Sequence, residues 1–171
     1  ERTVDVKNYE SRDTQNFIDV SNRENYLFNS TINGIEEADY IFLIGTNPRF
    51  EATMLNARIR KAYLKNDIKI ISLNDIGDLT YPYKALDGKT QTIKDIIENK
   101  NEISKDILNS KKPMIIFGES FFNSKSAKNL FHPFKNFLSK NNKFSNEWNP
   151  VNILSADASR VGSFDLDIID E

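Results

Sequence analysis

The turn Gly45-Thr46-Asn47-Pro48 is the part of the sequence best suited to bind a ligand. Gly45 permits a backbone angle or a close approach that a side chain would block. Asn47 is a favourable helix N-cap, and Pro48 suits the first turn of a helix because its missing N–H would be unpaired there. Backbone N–H groups and the helix dipole at such a place can hold a phosphate or pyrophosphate. The same residues can also form a plain turn that caps a helix, so both interpretations stay open.

The sequence gives little further support for a nucleotide site or for acid–base catalysis. It contains neither the dinucleotide pattern G-x-G-x-x-G nor the P-loop pattern G-x-x-x-x-G-K-[ST]. The basic run Arg58-Ile59-Arg60-Lys61 could contact an anionic ligand or an acidic partner, but it also fits the solvated face of an amphipathic helix. The acidic residues include no pair placed for acid–base work, among them Glu36, Glu37, Asp165, Asp167, Asp170 and Glu171. We therefore predict no catalytic residues.

Cysteine and histidine usage argues against a metal centre or a nucleophilic catalytic site in this chain. There is no cysteine, which excludes a thiolate-bound iron–sulfur cluster, a thiolate zinc site and a cysteine nucleophile. The single histidine, His132, also makes a Ser-His-Asp triad or a multi-histidine metal site a poor interpretation. His132 lies among apolar residues, so we predict a packing or solvent-edge role for it. We therefore expect no metal site in this chain.

Length and composition describe an ordinary globular domain. The 171 residues suffice for one domain with a real core, with 39% hydrophobic and 28% charged residues. The net charge of −2 creates no field that would recruit nucleic acid or an anionic membrane, and no apolar run approaches the length of a transmembrane helix. Because the chain starts on Glu1, without a methionine or a signal-peptide core, we expect an excised piece or a processed product.

The elements around the turn predict a β-α-β unit. Residues 40–44 form a short apolar run rich in β-formers, which is typical of a buried strand. A helix over residues 48–65 and a second strand over 69–73 follow, and such crossovers join parallel strands. The helix is predicted to bury an apolar face that comprises Phe50, Met54, Leu55, Ala57, Ile59, Ala62 and Tyr63.

The remaining sequence predicts an α/β fold, Rossmann-like, with a mainly parallel sheet and helices on both faces. Ile32 and Ile35 are expected to anchor a short turn that leads into the first strand. A loop over 74–89, helices over 90–98 and 102–109, a strand over 113–117, a helix over 124–140 and a fourth strand within 148–154 follow. Pro133 should kink or interrupt the helix over 124–140. The expected organisation is an extended arm or loop (1–25), the α/β domain (26–155) and a C-terminal tail (156–171).

Residues 25–153 resemble a known family. The run 37–52, the run 55–61, Asp78-Leu79-Thr80-Tyr81 and Lys111-Lys112-Pro113-Met114 are similar to the large iron–sulfur subunit of proton-pumping NADH:quinone oxidoreductase, respiratory complex I. This subunit is called G in bacteria and the 75 kDa subunit in mitochondria. The bare pattern Gly-x-Asn-Pro after a strand is less specific, since molybdopterin oxidoreductases share it.

The resemblance implies a fragment of the molybdopterin-oxidoreductase-like region of that subunit. The parent subunit would bind its iron–sulfur clusters outside this region, and this piece would be a non-catalytic scaffold of the peripheral arm in electron transfer from NADH to quinone. Its partners would be other peripheral-arm subunits, with no nucleic acid and no membrane insertion. It would lie on the cytoplasmic side of the bacterial inner membrane or on the matrix side in mitochondria.

The resemblance also implies that the turn no longer holds a cofactor. The second strand ends in Ile71-Ser72-Leu73-Asn74, whereas an acidic Asp-Pro run is common in the relatives that bind the pterin cofactor. Gly45, Thr46, Asn47 and Pro48 would then be a vestigial turn. One alternative is a fragment of a catalytic molybdopterin oxidoreductase such as formate dehydrogenase, and another is an independent small-ligand-binding domain of Rossmann type. The continuation Arg49-Phe50-Glu51-Ala52 favours complex I over both.

Overall fold

The computed structural model describes residues 17–166. Most of the predicted arm and the last five residues of the predicted tail therefore lie outside the described residues. After a 3-10 turn at Arg23–Asn25, the elements in chain order are α1 (Thr31–Gly34), β1 (Tyr40–Ile44), α2 (Pro48–Glu51), α3 (Thr53–Asn66), β2 (Lys69–Ser72), β3 (Lys84–Ala85), α4 (Thr90–Ile97), α5 (Glu102–Asn109), β4 (Pro113–Gly118), α6 (Glu119–Phe122), α7 (Ala127–Lys140), β5 (Val151–Leu154) and α8 (Arg160–Asp165).

The strands form one parallel sheet in the order β3-β2-β1-β4-β5. Strand β1 lies at the centre, where Phe42 is opposite Ile71 of β2 and Ile115 of β4. All five residues of β1 are buried, as expected for a parallel strand that is covered on both faces. The predicted α/β fold with a parallel sheet is confirmed.

Each face of the sheet is covered by helices because successive side chains of a strand alternate between the faces. From β1, Tyr40, Phe42 and Ile44 join a core cluster with buried residues of α4, α5 and α7. Ile41 and Leu43 join a second cluster with the buried stripe of α3. The chain crosses one face on its way from β1 to β2 and the other face on its way to β4 and β5. This reversal follows from right-handed crossovers.

The helix predicted over 48–65 is divided in two, and part of its predicted apolar face is wrong. At Ala52 the backbone leaves the helical region, with φ −151° and ψ 73°, so α2 and α3 do not share one helical phase. Leu55, Ile59 and Ala62 are buried as predicted, but Phe50, Met54 and Ala57 are exposed. The break at Ala52 accounts for Phe50, because the periodicity assumed a single continuous helix. Met54 and Ala57 lie in α3 itself, on the side of the helix that faces away from the sheet.

Three further details differ from the prediction or extend it. Pro133 lies inside the continuous helix α7, so it does not interrupt the helix. Within the predicted loop over 74–89, Lys84–Ala85 add a two-residue edge strand, which is too short and too exposed to give a pattern. Ile35 is buried as expected, whereas Ile32 is exposed.

The first and last described segments are attached to each other. Within the predicted tail, α8 places the Phe164 ring edge-on to Tyr26, with 5.3 Å between ring centroids. The Arg23 guanidinium donates two hydrogen bonds to the Asp165 carboxylate, at 2.9 and 2.8 Å, and Tyr26 Oη donates a third at 2.9 Å. In the described part of the chain, no helix combines the length and apolar character that crossing a membrane requires.

Candidate functional site

The candidate site lies at the carboxyl ends of β1, β2 and β4, where the direction of the crossovers reverses. Open α/β sheets usually bind their ligands in the crevice at this point. A cleft of about 170 Å³ opens here, and its lining includes Gly45, Leu73, Asn74, Gly88, Thr90 and Ser120. The turn that the sequence singled out is therefore at the expected edge of the sheet.

Two glycines let the ends of β1 and β4 pack directly against each other. Gly45 has φ +65°, and a Cβ on it would lie 2.4 Å from the backbone nitrogen of Phe121. A Cβ on Gly118 would lie 2.4 Å from Cβ of Thr46. The backbone N–H of Ser120 also donates a hydrogen bond to the Gly45 carbonyl, at 3.2 Å. The protein's own backbone thus fills the gap between the two strand ends.

The start of α2 is satisfied by side chains of the same chain. Asn47 is the N-cap, and its Oδ1 accepts a hydrogen bond from the N–H of Arg49 at 3.2 Å. The Glu51 carboxylate accepts from the N–H of Asn47 at 2.8 Å and from the Thr46 hydroxyl at 2.7 Å. An internal carboxylate therefore occupies donors that a phosphate would use. Because α2 has only four residues, it also offers a short dipole.

The loop after β2 is tied to the same turn. Asn47 Nδ2 donates a hydrogen bond to the Ile76 carbonyl at 2.8 Å. Arg49 Nη1 donates to both the carbonyl and the carboxylate of Asp78, each at 2.6 Å. The backbone N–H of Thr80 and the Arg49 guanidinium lower the pKa of the Asp78 carboxyl. The loop and the turn therefore hold one another in a fixed arrangement.

The far side of this loop is held by a buried amide. Asn56 of α3 donates a hydrogen bond to the Leu79 carbonyl at 3.1 Å and accepts one from the Tyr81 hydroxyl at 2.7 Å. Burial raises the pKa of Tyr81, so this phenol stays protonated as a donor. These contacts attach the loop to α3 although the loop contains little regular structure.

Two of the three cations in the basic run on α3 are paired within the chain. Arg58 Nη1 and Lys61 Nζ lie 2.6 and 2.9 Å from the same oxygen of Glu36. Hydrogen bonds from Lys61 and Arg58 lower the pKa of the Glu36 carboxyl. These two cations and Glu36 therefore belong to a surface ion-pair group rather than to the cleft.

The other candidate residues of the sequence are dispersed. Nε2 of the half-exposed His132 lies 3.3 Å from Oδ2 of Asp19, with the imidazole edge-on to Phe17, which is a solvent-edge packing position. Glu37 pairs with Lys112, while Asp167, Asp170 and Glu171 lie outside the described residues. Within residues 17–166, no group of three or more histidine, aspartate or glutamate side chains could hold a metal ion.

Sequence reasoning missed the two residues that fill the site, Glu51 and Phe121. A signal for Glu51 was available, since a carboxylate four residues after an asparagine N-cap lies close to the spacing of a capping box. No local sequence pattern predicts the role of Phe121, because its contact with Gly45 joins the ends of β1 and β4, which are far apart in sequence.

Comparison with known proteins identifies the family. The chain is 41% identical over 145 residues to the mitochondrial NADH-ubiquinone oxidoreductase 78 kDa subunit of Candida albicans, an alignment that covers 84% of this chain and 20% of that protein. The 78 kDa subunit of Neurospora crassa is 39% identical over 146 residues (84% and 19%), and the 75 kDa subunit of Reclinomonas americana is 36% identical over 146 residues (85% and 21%). The chain thus spans about a fifth of the length of these curated relatives. The model of the molybdopterin oxidoreductase family matches residues 2–170. The chain belongs to the molybdopterin oxidoreductase family.

Proposed function

We propose that this chain is part of the large iron–sulfur subunit of an NADH:quinone oxidoreductase. The relatives that support this role are named as 75 or 78 kDa subunits of NADH-ubiquinone oxidoreductase. Their identity to this chain extends over more than four fifths of its length, so the similarity is not confined to the common Gly-x-Asn-Pro turn. The activity belongs to the parent complex, which transfers electrons from NADH to quinone.

Within that complex, the chain serves as a scaffold and carries no redox centre of its own. The observation that carries this proposal is the filled turn at Gly45, where Glu51 accepts the hydrogen bonds and Phe121 closes the gap. A pterin dinucleotide placed against this turn would have to displace an anion that is covalently part of the protein. The absence of cysteine supports the same conclusion, because iron–sulfur clusters of the subunit must then be ligated outside this region.

The proposed setting follows from the same relatives. The chain would contact other subunits of the peripheral arm, on the matrix side of a mitochondrial membrane or the cytoplasmic side of a bacterial one. In that setting its residues position neighbouring parts of the assembly, and electrons bypass them.

Assembly and turnover should separate a scaffold from a cofactor domain. Replacing Gly45 by alanine in the complete subunit should lower the amount of assembled complex several-fold, because destabilised proteins lose abundance. The NADH:quinone rate per assembled complex should stay unchanged. Gly77→Ala is the matched control, since Gly77 also has a positive φ but a Cβ there would meet nothing within 4 Å.

Chemical analysis of the purified subunit provides the second arm of the test. We expect iron and sulfide but neither molybdenum nor pterin in the complete subunit. Stoichiometric pterin, a lower rate per assembled complex in Gly45→Ala, or unchanged assembly of that variant would each overturn the scaffold role.

A further inference from the structure

An apolar patch lies beside the filled turn, and the described residues leave it uncovered. We define the apolar patch as Phe28, Ile32, Phe50, Met54 and Leu154, which share one groove of about 390 Å³. Phe50 is 80% exposed, Met54 75% and Ile32 52%. Single exposed apolar residues are common on proteins, but a contiguous group of this kind usually marks a contact surface.

The patch continues one of the two hydrophobic cores. Phe28 and Leu154 are half-buried and pack against the cluster on the α3 face of the sheet. Leu55, which is buried in that cluster, also lines the groove. A core that continues to the surface in this way resembles the apolar interior of a permanent interface more than the rim of a transient one.

The two charged side chains next to the patch already have partners within the chain. Arg49 binds Asp78, and Glu51 accepts hydrogen bonds from Thr46 and Asn47. Covering the patch would therefore bury Arg49 together with its counter-ion and Glu51 with two hydrogen bonds already made, which lowers the penalty for burying charge.

Another exposed apolar residue shows the contrast. Leu64, at the other end of α3, is 72% exposed, but it shares its surroundings with Arg60, Lys61 and Lys65. Long basic side chains that cover apolar surface while their charges stay in water are typical of a solvated helix face. Leu64 thus serves as a matched reference for the patch.

We propose that another part of the same polypeptide packs on the apolar patch in the complete subunit. The inference rests on the proposed function, in which this chain is one portion of a longer subunit. The curated relatives are about five times as long as the matched region, so ample chain exists to form the cover. The covering segment should present apolar side chains and no charge at its centre. A second copy of the chain and a different subunit are the competing occupants.

The two methionines of the chain provide an internal test of this proposal. Hydrogen peroxide transfers an oxygen atom to an accessible methionine sulfur, which gives the sulfoxide and water. Met54 belongs to the patch, whereas Met114 is buried in β4 and reports whether the domain is folded. Mass spectrometry of the complete subunit, purified without its partners, measures both oxidation rates in the same molecule.

If the same polypeptide covers the patch, Met54 should be oxidised within about threefold of the rate of Met114 in the purified subunit. Met54 that reacts more than about tenfold faster than Met114 in the subunit but slowly in the assembled complex would assign the cover to another subunit. Fast oxidation of Met54 in both samples would show an open surface. Protection of Met54 that is lost on dilution would assign the cover to a second copy. Each of these three results overturns the proposal.

Two variants test whether the covering segment packs on the apolar patch. Phe50→Asp places a charge in the patch, so it should raise the oxidation rate of Met54 at least about tenfold while Met114 stays protected. Leu64→Asp makes the same kind of change on the solvated face and should leave both rates unaltered. Equal effects of the two variants would contradict the proposal. If Phe50→Asp also exposes Met114, the domain has unfolded. The ratio of the Met54 to the Met114 oxidation rate in the wild-type subunit is then the measurement that decides whether the patch is covered.

The outcome is distinguishable from a failure of the proposed function. If the longer polypeptide does not assemble with an NADH:quinone oxidoreductase, the proposed function is wrong, but the ratio of Met54 to Met114 oxidation still reports whether that polypeptide covers the patch. If the polypeptide does assemble while Met54 stays reactive, only the inference about the patch is wrong.

Discussion

Gly45 and Phe121 are in direct backbone contact across the ends of β1 and β4. A Cβ on Gly45 would lie 2.4 Å from the nitrogen of Phe121 and 2.7 Å from its Cβ. This contact closes the gap between the two strand ends, beside the cleft at which open α/β sheets usually hold ligands. The turn therefore links two strands at an edge of the sheet that is suited to binding. Because no room is left for a Cβ, any side chain at position 45 should destabilise the fold.

Gly45→Ala should destabilise the protein by about 3 kcal/mol, because a left-handed residue with a Cβ costs about 1 kcal/mol and overpacking adds about 2 kcal/mol. Gly77→Ala is the control. Its φ is +77° but no atom lies within 4 Å of the added Cβ, so only the conformational cost of about 1 kcal/mol applies. Urea unfolding followed by the fluorescence of Trp148 gives both values. Equal losses in the two variants would rule out the contact with Phe121 as the cause.

Glu51→Ala should lower the free energy of unfolding by about 1 kcal/mol, because the N–H of Asn47 and the hydroxyl of Thr46 lose their acceptor. Glu51→Gln retains an acceptor oxygen. It should lower the free energy of unfolding by only about 0.5 kcal/mol, which is the contribution of a negative charge at a helix N-terminus. Urea unfolding of the wild-type protein and of the two variants measures these differences in stability. A Gln variant that is less stable than the Ala variant would contradict the role of Glu51 as an internal acceptor.

Asn152→Ala should cost about 2 kcal/mol, since it removes the acceptor of a buried backbone N–H. Asn152 Oδ1 accepts from the N–H of Ser30 at 2.8 Å, and its Nδ2 donates to the Ser30 hydroxyl at 3.0 Å. The side chain thereby fastens the segment before α1 to β5. Asn146→Ala, at an exposed position, should change stability by less than about 0.5 kcal/mol. Similar losses at both positions would contradict the role of the buried contact.

The attachment of α8 should weaken in acid. Hydrogen bonds from Arg23 and Tyr26 lower the pKa of the Asp165 carboxyl below its ordinary value of 3.8. A group with a depressed pKa in the folded protein contributes its full stability above its unfolded pKa, and this contribution is lost as the pH falls through the folded pKa. The relevant window therefore begins near pH 4 and extends downward.

Asp165→Asn removes this titrating group and tests the window. The wild-type protein should lose more stability than the variant between pH 5 and pH 3, while both respond alike between pH 7 and pH 5, as judged from urea midpoints. We expect the difference in acid sensitivity to be small, because the ion pair between Arg23 and Asp165 is exposed to solvent. Identical acid sensitivity of the two proteins would show that Asp165 does not contribute.

Much of the framework could be predicted from local sequence. The buried run of β1, the N-cap Asn47 with Pro48 after it and the alternation of strands with helices all act over a few residues, so they appear as patterns. The short connections then require parallel strands and right-handed crossovers. The resemblance of residues 25–153 to the large iron–sulfur subunit of complex I is confirmed by the curated relatives, and the molybdopterin-oxidoreductase-like region by the family model.

The tertiary structure decided what these elements do to one another. The sequence by itself determined a strand, a glycine turn and a helix start, and it left open whether the turn holds a phosphate. Only the folded chain brings Phe121 to Gly45 and places Glu51 on the donors of the turn, because contacts across strands depend on positions far apart in sequence. The break at Ala52 likewise separates Phe50 from α3, and Met54 lies on the exposed side of that helix, since helical periodicity records which residues share a face but not which face the rest of the protein covers.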